Sequence, residues 1–362
     1  MSFTIAFLVG LIATFSVMRI TQRFNLVYTP TGERWNNRVV SLHGGIGIFI
    51  AFIIVLCAVK RLSFSWNEIV ILGCGSTMLI LGLIDDLYSL MPRVKLSFQI
   101  LITAIAISQG IMFVFCDNFW ICTAVSALWV IGITNAVNLL DNMDGASAGI
   151  SCISLISLAL LPHHVDPLVA QTALVLGGSI LGFLIFNFNP AKIFMGDSGS
   201  LFIGTTLALL LMQFSQTINP EVFHTIFYIP SALLIPTLLI IVPIIDTTFV
   251  TINRKLNGYP ISLGDKGHIA HRISYIFKND KISVISLYLF QLFIGAVVAS
   301  YYWKLLYPTF ILLISGLIIL TRLTNHKVWP KQFTSPQSCK VPEIMGSGHL
   351  VMHNERIVRM EA

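Results

Sequence analysis

The sequence predicts an all-α, polytopic transmembrane helical bundle of about eleven spans, with the N-terminus outside and the C-terminus in the cytoplasm. Three observations predict it. Hydrophobic residues make up 56% of the 362 positions and charged residues only 10%, with a mean hydropathy of +0.84, whereas a soluble domain carries roughly 25% charged residues. The apolar residues fall in continuous runs close to the span of about 20 that crosses a bilayer, not in the alternating pattern of a β-barrel. The Lys and Arg residues crowd onto one side of those runs.

The runs lie near 3–22, 45–59, 68–84, 96–115, 119–137, 148–161, 169–186, 200–214, 227–249, 284–301 and 305–320. The sixth and eighth are short, which predicts thin or tilted helices. The ninth contains Pro230, Pro236 and Pro243; each proline removes a helix hydrogen bond, so a bent helix is expected. With the N-terminus outside, the inner segments hold 19 of the 22 Lys and Arg, and only Lys60, Arg61 and Lys304 face out. That asymmetry sets the orientation. The net charge of +6 is therefore a topology signal plus attraction to anionic headgroups. With no aromatic-rich basic platform, nucleic acid is excluded as a partner. The six cysteines form no CxxC pair and read as small buried hydrophobes. The start, Met-Ser-Phe-Thr, lacks a basic n-region and a cleavage site, so the first span is expected to be retained. Residues 1–321 form one integral membrane domain and 322–362 a polar cytoplasmic tail spaced by prolines.

Five inner loops follow from this topology, and the chemistry gathers there. Gly82-Leu83-Ile84-Asp85-Asp86 ends the third span. Carboxylates at membrane depth are costly and functional by default. Neighbouring helical residues point about 100° apart, so one Asp is expected to support the other rather than share a ligand with it. Lys95 and Gln99 follow. In Asn138-Leu-Leu-Asp141-Asn-Met-Asp144-Gly145, a helical reading puts Asn138, Asp141 and Asp144 on one face, where a metal ion or cation would relieve the repulsion of the two acids. The stretch from Asn187 to Ser200 holds Pro190, Phe194 and the Gly196-Asp197-Ser198-Gly199 turn ahead of the eighth span. Gly-rich backbone entering a helix is an anion site, and Asp197 beside it suits Mg²⁺ on a phosphate; simple capping by Ser198 or Asp197 explains the same residues. The last inner loop follows Asp246 and carries His268, His271 and Arg272, a cationic patch suited to a diphosphate. Acids for a divalent cation beside bases for phosphate form the pattern of phosphoryl transfer.

These motifs resemble the polyprenyl-phosphate N-acetylhexosamine-1-phosphate transferases (glycosyltransferase family 4), over roughly residues 1–320. The G-x-x-DD element matches Asp85 and Asp86. The N-x-x-D-x-x-DG element matches Asn138, Asp141, Asp144 and Gly145. The N-x-x-P…F-MGD-[ST]-G-S element matches Asn187, Pro190, Phe194, Gly196, Asp197, Gly199 and Ser200. Two departures stand out. In the first inner loop Asn36 stands where the family usually has His and Val39 where it has Pro; in the fifth, Ala270 stands where a His is common. The phospho-MurNAc-pentapeptide branch carries three consecutive His that this chain lacks, which disfavours the peptidoglycan substrate and leaves the identity of the sugar open.

The resemblance implies an enzyme that transfers N-acetylhexosamine-1-phosphate from a UDP-sugar to polyprenyl (undecaprenyl) phosphate. UMP is released and a lipid-linked glycan of cell wall or lipopolysaccharide is started. It implies Mg²⁺, with Mn²⁺ as the alternative. It implies Asp197 as the metal ligand, Phe194 stacking on uracil, Asp141 and Asn138 on nucleotide or metal, Lys95 on phosphate and Asp85 as base toward the lipid phosphate. Asp86 and Asp144 complete the catalytic acids, and Asn187, His268, His271 and Arg272 the substrate contacts. The expected partners are the UDP-sugar, the lipid phosphate and the bilayer of a bacterial inner membrane, with a homodimer admitted. A secondary transporter would carry mid-span carboxylates and an inverted repeat, and neither is visible. A CDP-alcohol phosphotransferase has a different Asp spacing. A non-catalytic relative would not keep the full Asp set.

Overall fold

The computed structural model describes residues 1–28, 40–161, 167–218, 231–258 and 267–302, and helix dominates them. The helices are α1 (Ser2–Arg23), α2 (Gly44–Lys60), α3 (Trp66–Tyr88), α4 (Pro92–Ser108), α5 (Phe119–Leu140), α6 (Ala146–Ala159), α7 (Pro167–Asn187), α8 (Gly196–Ser215), α9 (Ser231–Leu239), α10 (Ile241–Leu256), α11 (Ile269–Phe277) and α12 (Asp280–Tyr302). A short antiparallel pair, β1 (Val27–Tyr28) and β2 (Val40–Ser41), sits between α1 and α2.

Among the described residues six helices, α1, α3, α5, α7, α8 and α12, are long and apolar enough to cross a membrane. The bent pair α9–α10 makes a seventh if counted as one span, and α2 and α6 are apolar but shorter. The chain is thus an integral membrane protein by length and composition of its helices. The expected run at 305–320 and the tail at 322–362 lie outside the described residues.

Three runs differ from expectation in instructive ways. The fourth ends early, at Ser108, because Gly110 takes a positive φ of 84°. The segment after it is held instead by Ser126 Oγ, which accepts from the Phe113 N–H at 2.9 Å. The eighth is not short: it starts at Gly196 and runs 20 residues, because the polar Gly-Asp-Ser-Gly turn is its first turn. The ninth breaks by 85° between α9 and α10, with Pro236 inside α9 and Pro243 opening α10, as its prolines predict.

α8 is the hub. Of its apolar stretch 94% is buried inside the protein, so it meets helices on every side rather than lipid. α3 and α5 flank it most closely, with α2 and α9 alongside, while α1 lies along α7 in the outer layer. Close approach needs small residues where hydrophobicity cannot drive helices together in lipid. At Gly82 a Cβ would lie 2.4 Å from Ser198 Cα, so α3 rides against the backbone of the first turn of α8. That contact brings Asp86, one turn further along α3, to the N-terminus of α8.

The helix starts follow from local chemistry. Ser65 and Glu68 form a reciprocal capping box on α3, and Asn118 accepts from the Ile121 N–H at 3.1 Å to cap α5, each supplying acceptors that the first turn lacks. Glu68 also takes Lys60 as an ion partner at 2.5 Å, with both side chains under a tenth exposed. Lys60 is therefore a buried cation and not the open loop charge that its position suggested. Removing one member of a buried pair strands the other, at a cost of about 3–5 kcal/mol. Glu68→Gln is expected to destabilise the protein by that order and so to lower its thermal unfolding midpoint in detergent. An unchanged midpoint would mean that Lys60 finds water or another partner.

Candidate active site

The C-terminal ends of α3 and α5 meet the N-terminal end of α8, and Asp85, Lys95, Asn138 and Asp197 meet there. Lys95 lies in the first turn of α4, ahead of the apolar run that starts at Leu96. Its Nζ sits 2.7 Å from Asp85 Oδ2 and 3.0 Å from Asp197 Oδ2. Burial works to lower the pKa of this ammonium, but the charges of Asp197 and Asp85 and their hydrogen bonds outweigh it and hold it above its ordinary value. Asp85 is fully buried and also accepts from the Leu90 N–H at 2.7 Å. Asp197 is about a fifth exposed and receives the Asn138 Nδ2 at 3.2 Å on its other oxygen. The same amide nitrogen donates to Ser200 Oγ at 2.8 Å.

Asp86 does something its neighbour cannot. Its two oxygens accept from the backbone N–H of Asp197 at 2.9 Å and of Ser198 at 3.2 Å. A carboxylate from α3 thus caps α8, satisfying free donors at the positive end of the helix dipole. This corrects two expectations. The Gly196-to-Gly199 turn is not an open anion cradle, because Asp86 fills it, and neither Ser198 nor Asp197 supplies the cap. The two acids part as their 100° separation requires, Asp85 facing Lys95 and Asp86 facing α8.

The acids of the 138–145 stretch do not share a helical face. α5 ends at Leu140, Asp141 is its C-cap, and Gly145 turns the chain with φ +81° into α6. Asp144 points to the neighbouring loop, where its Oδ2 accepts from the Ala191 N–H at 2.9 Å and from Asn189 Nδ2 at 3.4 Å. Asn187 is buried and commits both ends of its amide to scaffold: Oδ1 accepts from the Gly145 N–H at 3.1 Å, and Nδ2 donates to the Ile193 carbonyl at 2.9 Å. It is a strut between two loops, a correction to its expected place among substrate contacts. Phe194 is half-buried, and its backbone bonds Ser41 and Gly44 at 2.8 Å each.

Asp246 of α10 and the residues from Gly267 onward, at the start of α11, pack together. His268 Nδ1 lies 2.7 Å from Asp246 Oδ2, and the other oxygen of Asp246 accepts from the Ile269 N–H at 2.7 Å. Arg272 is buried, bonds the Gly267 carbonyl at 2.9 Å and lies 4.6 Å above the Phe249 ring. It is a packed cation rather than an open patch. His271 is half-exposed, with its ring 6.5 Å from that of His268. This unit shares an apolar cluster with Leu140 and Met143 of the α5–α6 turn, so it borders the acidic site.

Reading the sequence missed two contributors. Tyr288 on α12 donates to the Gly145 carbonyl at 2.5 Å, across a gap that Gly149 leaves open. His43 approaches Asp86 at 3.6 Å. Nothing in their spacing flags either, because each acts on a residue far away in the chain.

Among the described residues no three His, Cys, Asp or Glu side chains are grouped to hold a metal ion. The donor set that exists is sparser: the part-exposed Asp197 carboxylate with the Asn138 amide beside it. Mg²⁺ commonly binds through one or two carboxylates and completes its shell with water and substrate phosphates, so these residues fit a cation that arrives with a phosphate ligand.

Residues 68–215 match the glycosyl transferase family 4 description. Across 346 residues the chain is 34% identical to a probable undecaprenyl-phosphate N-acetylglucosaminyl 1-phosphate transferase of Bacillus subtilis, covering 91% of this chain and 94% of that protein. It is 27% identical over 307 residues to a decaprenyl-phosphate N-acetylglucosaminephosphotransferase of Mycobacterium tuberculosis, covering 76% of each. It is 29% identical over 282 residues to a phospho-N-acetylmuramoyl-pentapeptide-transferase of Prochlorococcus marinus, covering 70% of this chain and 76% of that protein.

Proposed function

The chain belongs to glycosyl transferase family 4, and from that premise we propose that it transfers N-acetylhexosamine-1-phosphate from a UDP-sugar to a polyprenyl phosphate, releasing UMP. The Bacillus subtilis and Mycobacterium tuberculosis relatives, which cover 91% and 76% of this chain, are named for N-acetylglucosamine phosphate transfer to undecaprenyl and decaprenyl phosphate, which favours UDP-GlcNAc as donor. The observation that carries the reading is the Asp85–Lys95–Asp197–Asn138 constellation, assembled from four helices at one end of the bundle.

In the proposed reaction an oxygen of the lipid phosphate attacks the β-phosphorus of the UDP-sugar. A new P–O bond forms there, and the bond from that phosphorus to the bridging oxygen breaks, so that UMP leaves. The second pKa of a phosphate monoester is about 6, so the nucleophile is already dianionic at neutral pH and needs little from a base. Asp85, fully buried and paired with Lys95, then serves to hold the ammonium rather than to take a proton. Lys95 neutralises phosphate charge, Asn138 orients Asp197, and Phe194 offers a ring to the base of the nucleotide. Mg²⁺, held by Asp197 and the diphosphate of the donor, would supply charge neutralisation on the phosphoryl oxygens. Positioning and electrostatics carry the rate in such a site.

We place the N-terminus outside and the acidic site at the cytoplasmic interface of a bacterial inner membrane, within a bundle of about eleven spans. The one-sided Lys and Arg support that orientation. A lipid phosphate and a water-borne nucleotide sugar meet at such an interface and nowhere deeper.

The test is purified protein in detergent with undecaprenyl phosphate, Mg²⁺ and a panel of radiolabelled UDP-sugars. UDP-GlcNAc is expected to give a labelled lipid product and an equal amount of UMP. UMP released without lipid phosphate, or no product from any sugar, rules the function out. Product from another sugar alone would move the specificity and keep the class.

A further inference from the structure

We infer that His43 is a positioning residue of this site, holding the Asp86 carboxylate that caps α8 and thereby aiming Asp197; the inference rests on the function proposed above. Four observations converge on it.

His43 has a left-handed backbone, φ 64° and ψ 33°, at the residue that opens α2. Only a few per cent of residues other than glycine sit there, and such conformations persist where the surroundings enforce them, often at functional sites. The ring is buried, at 8% side-chain exposure, and Nδ1 has no hydrogen-bond partner among the described residues. A buried polar atom without a partner calls for an explanation. The nearest carboxylate to it is Asp86 Oδ2, at 3.6 Å. That distance suits an ion pair and exceeds a hydrogen bond, and site hydrogen bonds that are long without substrate commonly tighten when it binds.

The backbone around His43 is tied to the same loop as Asp86. Ser41 and Gly44 bond Phe194, and the Gly45 N–H bonds the Met195 carbonyl at 3.0 Å. Gly196 comes next, so close to Asp86 that a Cβ there would lie 2.6 Å from its Oδ2. Asp86 is thus enclosed by two N–H groups of α8 on one side and the His43 imidazole on the other. A ring carrying its proton on Nδ1 fixes which way the carboxylate faces, and the first turn of α8, with Asp197, follows it.

The backbone strain makes the test clean. Glycine suits φ 64° better than His does, so the strain relieved in His43→Gly offsets part of the cost of the cavity the buried imidazole leaves, and rates are compared well below each variant's midpoint. Asn also tolerates this conformation, and its amide nitrogen replaces the donor. His43→Gly is expected to lower kcat for UMP release about 10- to 100-fold, the usual effect of losing an outer partner of a site residue, with KM for the UDP-sugar moving less than about threefold. His43→Asn is expected to recover most of that loss. In an Asp86→Asn background His43→Gly should cost little more.

A stable His43→Gly protein with the kcat of the parent overturns the inference, as does a folded His43→Asn protein no better than His43→Gly. Should the parent release no UMP, the proposed function itself fails. His43 is then decided by thermal midpoints of the single and double variants, where non-additive shifts with Asp86→Asn support the contact and additive ones refute it.

Discussion

Asp197→Ala is expected to slow UMP release by about 10³-fold or more, the scale on which a preorganised charge partner acts in a transition state. Asp85→Ala is expected to cost about 10- to 100-fold, as a neighbour acting through another group does. The ranking follows from exposure and partners. Asp197 is part-exposed at the head of α8, whereas Asp85 is fully buried and committed to Lys95 and the Leu90 N–H. Only the first can touch a phosphate or a cation bound to one. A base at Asp85 would matter for a protonated nucleophile, but the lipid phosphate, with a second pKa of about 6, is deprotonated in an assay at pH 8. A dead Asp85→Ala protein beside an active Asp197→Ala protein would reverse these roles.

Lys95→Met is expected to cost about 10²- to 10³-fold in kcat/KM, again on the scale of one preorganised charge, and Lys95→Arg to recover little of it. The ammonium is a compact point charge between two carboxylate oxygens at 2.7 and 3.0 Å. A guanidinium is a planar fork with a longer reach, and the two are not interchangeable in such a gap. Lys95→Met also leaves Asp85 buried without its cation, so the variant should unfold at lower temperature as well as turn over more slowly. Rates measured well below the midpoint separate the effects. A Lys95→Arg protein with full activity would show that any positive charge suffices there.

Much of this arrangement was legible in the chain. The apolar runs located the helices, prolines 236 and 243 announced the break between α9 and α10, and the acids at helix ends announced the site. What could not be read were contacts across sequence distance. Asp86 caps a helix that begins 110 residues later, and no local pattern says that the acceptor missing from α8 sits on α3. The first turn of α8 looked like a loop because its residues are polar, although packing against Gly82 makes them helix. The shared face assigned to Asn138, Asp141 and Asp144 assumed a helix that in fact ends at Leu140, where Gly145 reverses the backbone. Lys60 was assigned to an outer loop and Arg272 to a cationic patch for a diphosphate, because charge says nothing of what folds over it; both are buried.

Asp197 stands on a helix wrapped by others along nearly its whole apolar length. A reacting group mounted there is anchored at the axle of the molecule rather than at its rim. Under the proposed function, the carboxylate that meets the phosphate is thus held from every side, whatever the rim of the bundle does to admit a long isoprenoid tail.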